Sequence, residues 1–421
     1  MTPPSTPTSR KTHRTVLANG LVVLVTENPA ADIVATRILV RAGGRREPLE
    51  QAGVSGLLAS VLTKGAGSHS SRDIAEIVES MGASLGADAA ADYSMLGAKT
   101  VSADFSAVLA LMATILRSPT FPESEVALER RLAIQDVRSM QEQPFSVAYQ
   151  QLQQALYGPH PYAMGTVGTE KTLGKLTRDD IQAYYQAHFH PDRTIISIAG
   201  RINAAEAIAQ VTAAFGDWPS SKGGEETIPA LGDRAPYRVA TPQETQQAVI
   251  MLGYLTPAVH HADYPALKLI STYLGNGLSS RLFVELREKR GLAYDVSAIY
   301  PTRLDASHLI LYIGTAAHNT AIAQEGLIRE IDRLCDRRLT DPELQVAQNK
   351  LLGQYALGKQ TNSQIAQLMG WYEVLGLGVA FDQTFQERCR AVTPEQIQSV
   401  AQRHLNGSPF LSLVGPKAVL S

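Results

Sequence analysis

Arg287 and Tyr294 stand seven positions apart in the run Leu286-Arg287-Glu288-Lys289-Arg290-Gly291-Leu292-Ala293-Tyr294. A guanidinium presents fixed donors to a carbonyl, and a phenol can donate to an oxygen that gains negative charge, so the two together can hold and polarise a peptide-like group. Phe283 to Arg290 reads as a helix that Gly291 terminates, and Tyr294 to Tyr300 alternates as a strand. The pair then flanks a helix-to-strand junction. On spacing alone the plainer alternative carries more weight: Arg287 complementing a helix C-terminus and Tyr294 packing in a core. Just upstream, Gly275-Asn276-Gly277 is turn chemistry; no Lys-Ser or Lys-Thr follows the glycines, so it is not a phosphate-binding loop.

Other reactive side chains are sparse. His69, His188 and His190 offer imidazoles for a metal, but scattered histidines are more often structural. Cys335 and Cys389 are the only cysteines, too few for a disulfide framework and without the close neighbours of a structural zinc site, which fits a reducing compartment. No Ser-His-Asp or Cys-His signature is evident.

The chain has 421 residues, 44% apolar and 19% charged, which suits a soluble protein of two or three domains. Thirty-eight Lys plus Arg against 40 Asp plus Glu leave no electrostatic footprint for nucleic acid. No run of 18 uncharged apolar residues spans a membrane. The first twenty residues lack the apolar run of a secretory signal, and their prolines oppose the amphipathic helix of an organellar transit peptide. Bacterial cytoplasm is the simplest location, with a mature organellar protein as the alternative.

The elements that must position these residues occur twice. Ser70 to Gly82 lines up with Ser279 to Gly291, and Thr177, Ile181, Gln182, Gln186 and His188 answer Thr393, Ile397, Gln398, Gln402 and His404 without a gap. Each match runs into an apolar strand ending in glycine, Ile195 to Gly200 and Phe410 to Gly415. The expected organisation is a disordered tail over 1–16, a first module over 17–220, a linker over 221–238 and a second module over 239–421. Gly20 to Thr26 and Ile33 to Ala42 read as adjacent strands, followed by helices near Gln51 to Leu62, Asp73 to Met81 and Ser124 to Glu142. Two strands in succession favour an α+β fold, each module an antiparallel-rich mixed sheet packed with helices.

Arg41-Ala42-Gly43-Gly44-Arg45-Arg46-Glu47, then Gly53 opening an apolar helix that ends at Lys64-Gly65, resembles the start of the family of insulin-degrading enzyme, pitrilysin and mitochondrial processing peptidase. Tyr157 to Tyr162, Gly165 to Gly168 and Tyr184-Tyr185 through Pro191 extend the resemblance over nearly the whole chain. Active members carry His-x-x-Glu-His on that helix and a further Glu ligand some way downstream. Two His one helical turn apart bind zinc and the Glu between them acts as base. Here Gly56 and Ser60 stand at the two His positions, Ala59 at the base and Asp136 at the distal ligand, and His-x-x-Glu-His occurs nowhere in the chain.

The resemblance implies that Arg287 and Tyr294 match the pair with which the opposing module holds the peptide and stabilises the oxyanion. The repeat adds weight, because the first-half equivalents are Val78 and Leu85. Gly275, Asn276 and Gly277 are similar to a shortened form of the substrate-handling glycine loop of the family's non-zinc subunits. Family members of this length pair into a four-module clam shell. The expectation is therefore a non-zinc subunit of a heterodimeric metallopeptidase, inactive alone and without a cofactor of its own, whose partner subunit brings the zinc and whose substrate is an extended peptide. The alternative is a non-enzymatic scaffold of the same fold, with homodimerisation a further option.

Overall fold

The structure, a computed structural model, describes residues 11–221, 228, 229, 231, 232 and 234–419. The first half contributes strands β1 (Thr12–Val16), β2 (Val22–Glu27) and β3 (Val34–Val40), a two-residue-per-strand hairpin of β4 (Gly65–Ala66) and β5 (His69–Ser70), then β6 (Ser84–Ala89), β7 (Ser94–Thr100) and β8 (Thr194–Gly200). The second half contributes β9 (Arg238–Pro242), β10 (Gln247–Thr256), β11 (Asp295–Ile299), β12 (Ser307–Ala316) and β13 (Phe410–Gly415). Two sheets result, ordered β1-β2-β8-β3-β7-β6 and β11-β12-β10-β13-β9. With β1 set aside, the order β2-β8-β3-β7-β6 repeats as β9-β13-β10-β12-β11, and in each the last strand runs parallel to the first and antiparallel to the second. The fold is α+β with a mixed sheet in each half.

Two expectations need correction. The strands expected to be neighbours, β2 and β3, are separated by β8, and β9 and β10 are likewise separated by β13. The closing strand of each half is its most buried, Thr194–Gly200 without an exposed residue, and it takes the central slot where both faces are covered. Residues 12–16 of the expected tail form β1, paired in register with β2, because Arg14 finds a buried acid in the other half. Residues 1–10 of the expected tail, and 222–227, 230 and 233 of the expected linker, lie outside the described residues.

One face of each sheet packs on helices of its own half, and the other on a helix from the opposite half. Alternate residues of the first sheet divide accordingly: Val23, Val25, Ile38 and Ile196 join the first-half core, whereas Val22, Leu24, Leu39 and Ile195 join the second-half core. Helix Asn362–Val374 lies across β3 and β8, and helix Pro144–Tyr157 lies across β10 and β13. The approach is close. A Cβ at Gly370 would stand 2.4 Å from Leu39 Cδ1 and 3.1 Å from Ser197 Cβ, and one at Gly253 would meet Leu152 and Leu156 at 3.1 Å.

Polar contacts fix the register of the exchanged helices. Arg14 grips the buried Glu373 through Nε (3.1 Å) and Nη2 (2.7 Å), Arg41 donates to Glu373 O at 2.8 Å, and Asn362 donates to Ile33 O at 2.8 Å. On the other side, fully buried His308 of β12 meets Tyr157 Oη at 2.8 Å and Tyr149 Oη at 3.4 Å. Nearby, Arg45 and His160 of the first half converge on Asp305 of the second, with Arg45 Nη2 at 2.8 Å and His160 Nε2 at 3.2 Å.

Gly370→Ala is expected to lower stability by about 1–3 kcal/mol through overpacking. Adding Leu39→Ala should return part of it, and strictly additive urea midpoints in the double variant would rule out this contact as the cause. Acid should act on this junction through His308 and on the first half through His188. Burial, reinforced by Arg303, pulls His308 down to about 3, and burial with Arg193 pulls His188 down to about 4. A histidine depressed in the folded state lacks a proton that the unfolded chain binds, so stability falls as pH drops below about 6.5 toward those values. The loss is about 1.4 kcal/mol per pH unit for each histidine. Despite burial, the bonds from His160 and Arg45 hold Asp305 below the carboxylate range, so its contribution is lost only at lower pH. His308→Gln should flatten the fall in unfolding midpoint between pH 6.5 and 5; an unchanged slope would remove His308 from this account.

Candidate functional site

Helix Tyr264–Gly275 runs into the glycine turn, and Phe283–Glu288 follows as a π-helical turn in place of the expected α-helix to Arg290. Its wider spacing is set by Lys289 N donating to Val284 O at 3.0 Å, and Leu292 N closes back on Leu286 O at 2.8 Å. Leu282, Leu286 and Leu292 are buried and hold this turn against the core, while Gly291 reverses the chain at φ +62°. Arg287 projects outward with its guanidinium 4.8 Å over the Phe283 ring. Tyr294, anchored by its N–H on Gly314 O at 2.9 Å, leads into β11 with its side chain 60% exposed.

Neither side chain hydrogen-bonds to another described residue. With 60% of its surface exposed, Tyr294 is not packed into the core of this chain. In the first half, the corresponding segment is a regular helix, Ser71–Ser80, with a capping box at Ser70, and its Val78 is buried. The duplicated scaffold thus packs an apolar residue where the second half extends a cation into solvent.

The glycine turn is built for close approach. A Cβ at Gly275 would lie 1.9 Å from Ala298 N of β11, and Gly277 has φ +76°. Asn276 exchanges amide hydrogen bonds with Gln354, 3.1 Å from Gln354 Nε2, and Leu278 at the tip is 73% exposed.

The positions matched to zinc ligands sit on helix Val54–Leu62 and on helix Glu123–Gln141. Gly56 faces the Gly165 to Gly168 loop so closely that a Cβ would stand 2.5 Å from Thr166 O. Ser60 turns its hydroxyl back to Gly56 O at 3.1 Å, Ala59 is buried, and Asp136 is exposed. One carboxylate and one internally bonded hydroxyl do not make the ligand set of a catalytic zinc, so these residues do not fit the ion. The sequence reading missed what starts this helix: buried Glu47 accepts from Gly53 N (2.7 Å), Ser55 N (2.8 Å) and the Ser55 hydroxyl. Burial raises its carboxyl to about 7 against those three bonds. The available signal was an acid just ahead of an uncapped apolar helix.

The three histidines weighed as a substitute site do not form one among the described residues. His188 is buried against the Tyr184 ring, 4.4 Å between centroids, with Arg193 Nη1 at 3.1 Å, and His69 lies in the β4–β5 hairpin. One other group, His261, Asp263 and His404, has donor atoms within 4.8 Å of one another. Its Asp263 already carries the ion pair of Arg403 and a 2.8 Å hydrogen bond with His404 Nε2, and the Arg403 charge opposes a cation there.

Gly56→Ala is expected to cost about 1–3 kcal/mol, since the obstructing atom is backbone. A wild-type urea midpoint for that variant would mean that the 165–168 loop yields freely and that position 56 is open to a larger side chain.

The comparisons with known proteins agree with this architecture. Residues 22–170 match the insulinase (peptidase family M16) domain, and residues 175–351 match the peptidase M16 inactive domain. An uncharacterized zinc protease of Bacillus subtilis is 27% identical over 399 residues, covering 94% of this chain and 97% of its own. One of Streptomyces coelicolor is 27% identical over 418 residues, covering 96% and 89%. Among solved structures, a peptidase M16 inactive domain from Pseudomonas fluorescens superposes with TM-score 0.88 at 24% identity, covering 98% of this chain and all of that one. A protease from Helicobacter pylori gives TM-score 0.89 at 21% identity over 97% of this chain and 100% of its own. No helix among the described residues is long and apolar enough to cross a membrane. With two matched domains in series and relatives aligned end to end, the chain belongs to the insulinase (M16) peptidase family.

Proposed function

We propose that this chain is the non-zinc subunit of a two-chain M16 peptidase and that Arg287 and Tyr294 act on a peptide bound at the partner's metal site. The observation that carries this reading is the solvent exposure of both side chains, neither hydrogen-bonded to a described residue, with Arg287 on a π-helical turn whose first-half counterpart is an ordinary packed helix and Tyr294 at the entry to β11. π-Turns are retained mostly where function needs them, because they sacrifice regular hydrogen bonding.

Arg287 would direct its N–H groups at a substrate carbonyl, and Tyr294 would donate its hydroxyl proton in a hydrogen bond to the oxyanion as it forms. The partner's zinc, when present, supplies the activated water. The sheet edge next to this pair is β11, which gives an extended peptide backbone groups to pair with. The ligand-like positions of helix Val54–Leu62 offer this chain no such metal, which supports dependence on a partner carrying His-x-x-Glu-His.

The test is reconstitution with a co-purified zinc-bearing partner, assayed on a quenched fluorescent peptide. The purified chain alone should show no chelator-sensitive hydrolysis. In the complex, Tyr294→Phe should lower kcat by roughly 10²-fold or more with little change in KM. Arg287→Lys should chiefly raise KM, since an ammonium cannot reproduce the planar fork. Turnover undiminished in both variants would overturn the catalytic role and support a scaffold of the same fold.

A further inference from the structure

Behind the glycine turn, between it and helix Asp341–Leu357, lies a cavity of about 330 Å³. This is at the small end of ligand pockets, which run roughly 300–1,000 Å³. Its apolar wall includes Val284 of the π-turn, Pro342, Val346 and Ala347. Its polar wall is Ser279 and Ser280, with Lys350 opposite and Arg281, Glu285 and Glu343 beside them.

The charges around it are matched except one. Arg281 pairs with Glu330 at 2.7 Å and Glu285 at 2.9 Å; Glu285 also takes Lys289 at 2.7 Å. Glu343 takes Arg333 at 3.0 Å and the Tyr273 hydroxyl at 3.1 Å. Lys350 has no carboxylate among the described residues: its Nζ reaches only Ser279 Oγ, at 3.5 Å, and lies beside Gly277, where a Cβ would come within 3.2 Å. Ser280, 2% exposed, buries its hydroxyl without a hydrogen-bond partner. An unmatched ammonium and an unsatisfied buried hydroxyl on one small apolar cavity together call for a ligand with one negative group and an apolar body. Burial lowers Lys350 from its usual value, as expected for an ammonium drawn partly out of water.

We infer that this cavity binds a monocarboxylate with an apolar body, its carboxylate on Lys350 and the Ser279–Ser280 hydroxyls and its body against Val284, Val346 and Ala347. The chemistry is that of a peptide's apolar C-terminal residue or of a free small acid. The peptide source rests on the peptidase reading above; the site does not. A dicarboxylate would place its second charge against Glu285 or Glu343. The site borders both the glycine turn and the π-turn that bears Arg287, so its occupancy bears on how that surface is presented.

Calorimetric titration of the isolated full chain tests this without partner or turnover, so failure here leaves the two-chain reading standing, and failure of reconstitution leaves this site standing. The probes are N-acetyl-Gly-Gly-Leu, its C-terminal amide, and octanoate. Saturable 1:1 binding of at least one carboxylate is expected, at least tenfold weaker for the amide. Lys350→Met and Val346→Glu, both at the cavity mouth, should each weaken it by tenfold or more while keeping the wild-type unfolding midpoint. Preference for the tripeptide assigns the peptide source, and preference for octanoate the free acid. Absence of saturable binding by either acid, equal affinity for acid and amide, or binding untouched by Lys350→Met overturns the proposal.

Discussion

Everything in this molecule depends on the exchange of one helix between its halves. Each sheet has two apolar faces, and the chain covers the second face of each with a helix that belongs to the other repeat. Leu39 against Gly370, and Gly253 beneath Leu152 and Leu156, are the points where this succeeds only because a side chain is missing. Arg14 and Arg41 then bond the buried Glu373 and the backbone of the exchanged helix, and Asn362 of that helix donates to Ile33 O, so the helix has a single register. The surface elements that carry Arg287, Tyr294 and the glycine turn are anchored through Leu282, Leu286 and Leu292 on this shared core rather than on a half-molecule.

The repeat and the fold class were legible in the sequence because they are written in local pattern: paired motifs such as Ser70-Ser71-Arg72 and Ser279-Ser280-Arg281, and apolar strands that end in glycine. The position of β8 was not, since hydrophobic alternation says that a strand is covered but not by what. Its run Ile195 to Ala199, interrupted only by Ser197, did carry the hint of two covered faces. The exchange was hidden for a related reason: Gly370 gives no sign that its neighbour is Leu39, more than three hundred residues earlier. Strand β1 escaped because five polar or β-branched residues near a terminus become a strand only when a partner such as Glu373 waits for Arg14.

For the candidate site, the sequence held the residue types and the structure held their exposure. Spacing alone left Arg287 and Tyr294 better suited to a helix end and a core than to a substrate. The π-turn places Arg287, yet Leu282 and Leu286 fit an α-helical period equally well, and the extra backbone step is the Lys289 to Val284 hydrogen bond that no local pattern announces. The substituted positions 56, 59 and 60 were plain from residue identity. That Thr166 O occupies the space beside Gly56 depends on a loop some hundred residues away, which no local reading reaches.

The exchange also has a consequence in time. During synthesis the first sheet is complete once β8 has emerged, but the helix that covers Val22, Leu24, Leu39 and Ile195 arrives only with residues 362–374. At about 5–20 residues per second, that leaves an apolar face open for roughly ten seconds or more on a nascent chain. The early half therefore passes through a long interval on the ribosome with that face uncovered, and its final contacts have among the greatest sequence separations the chain permits.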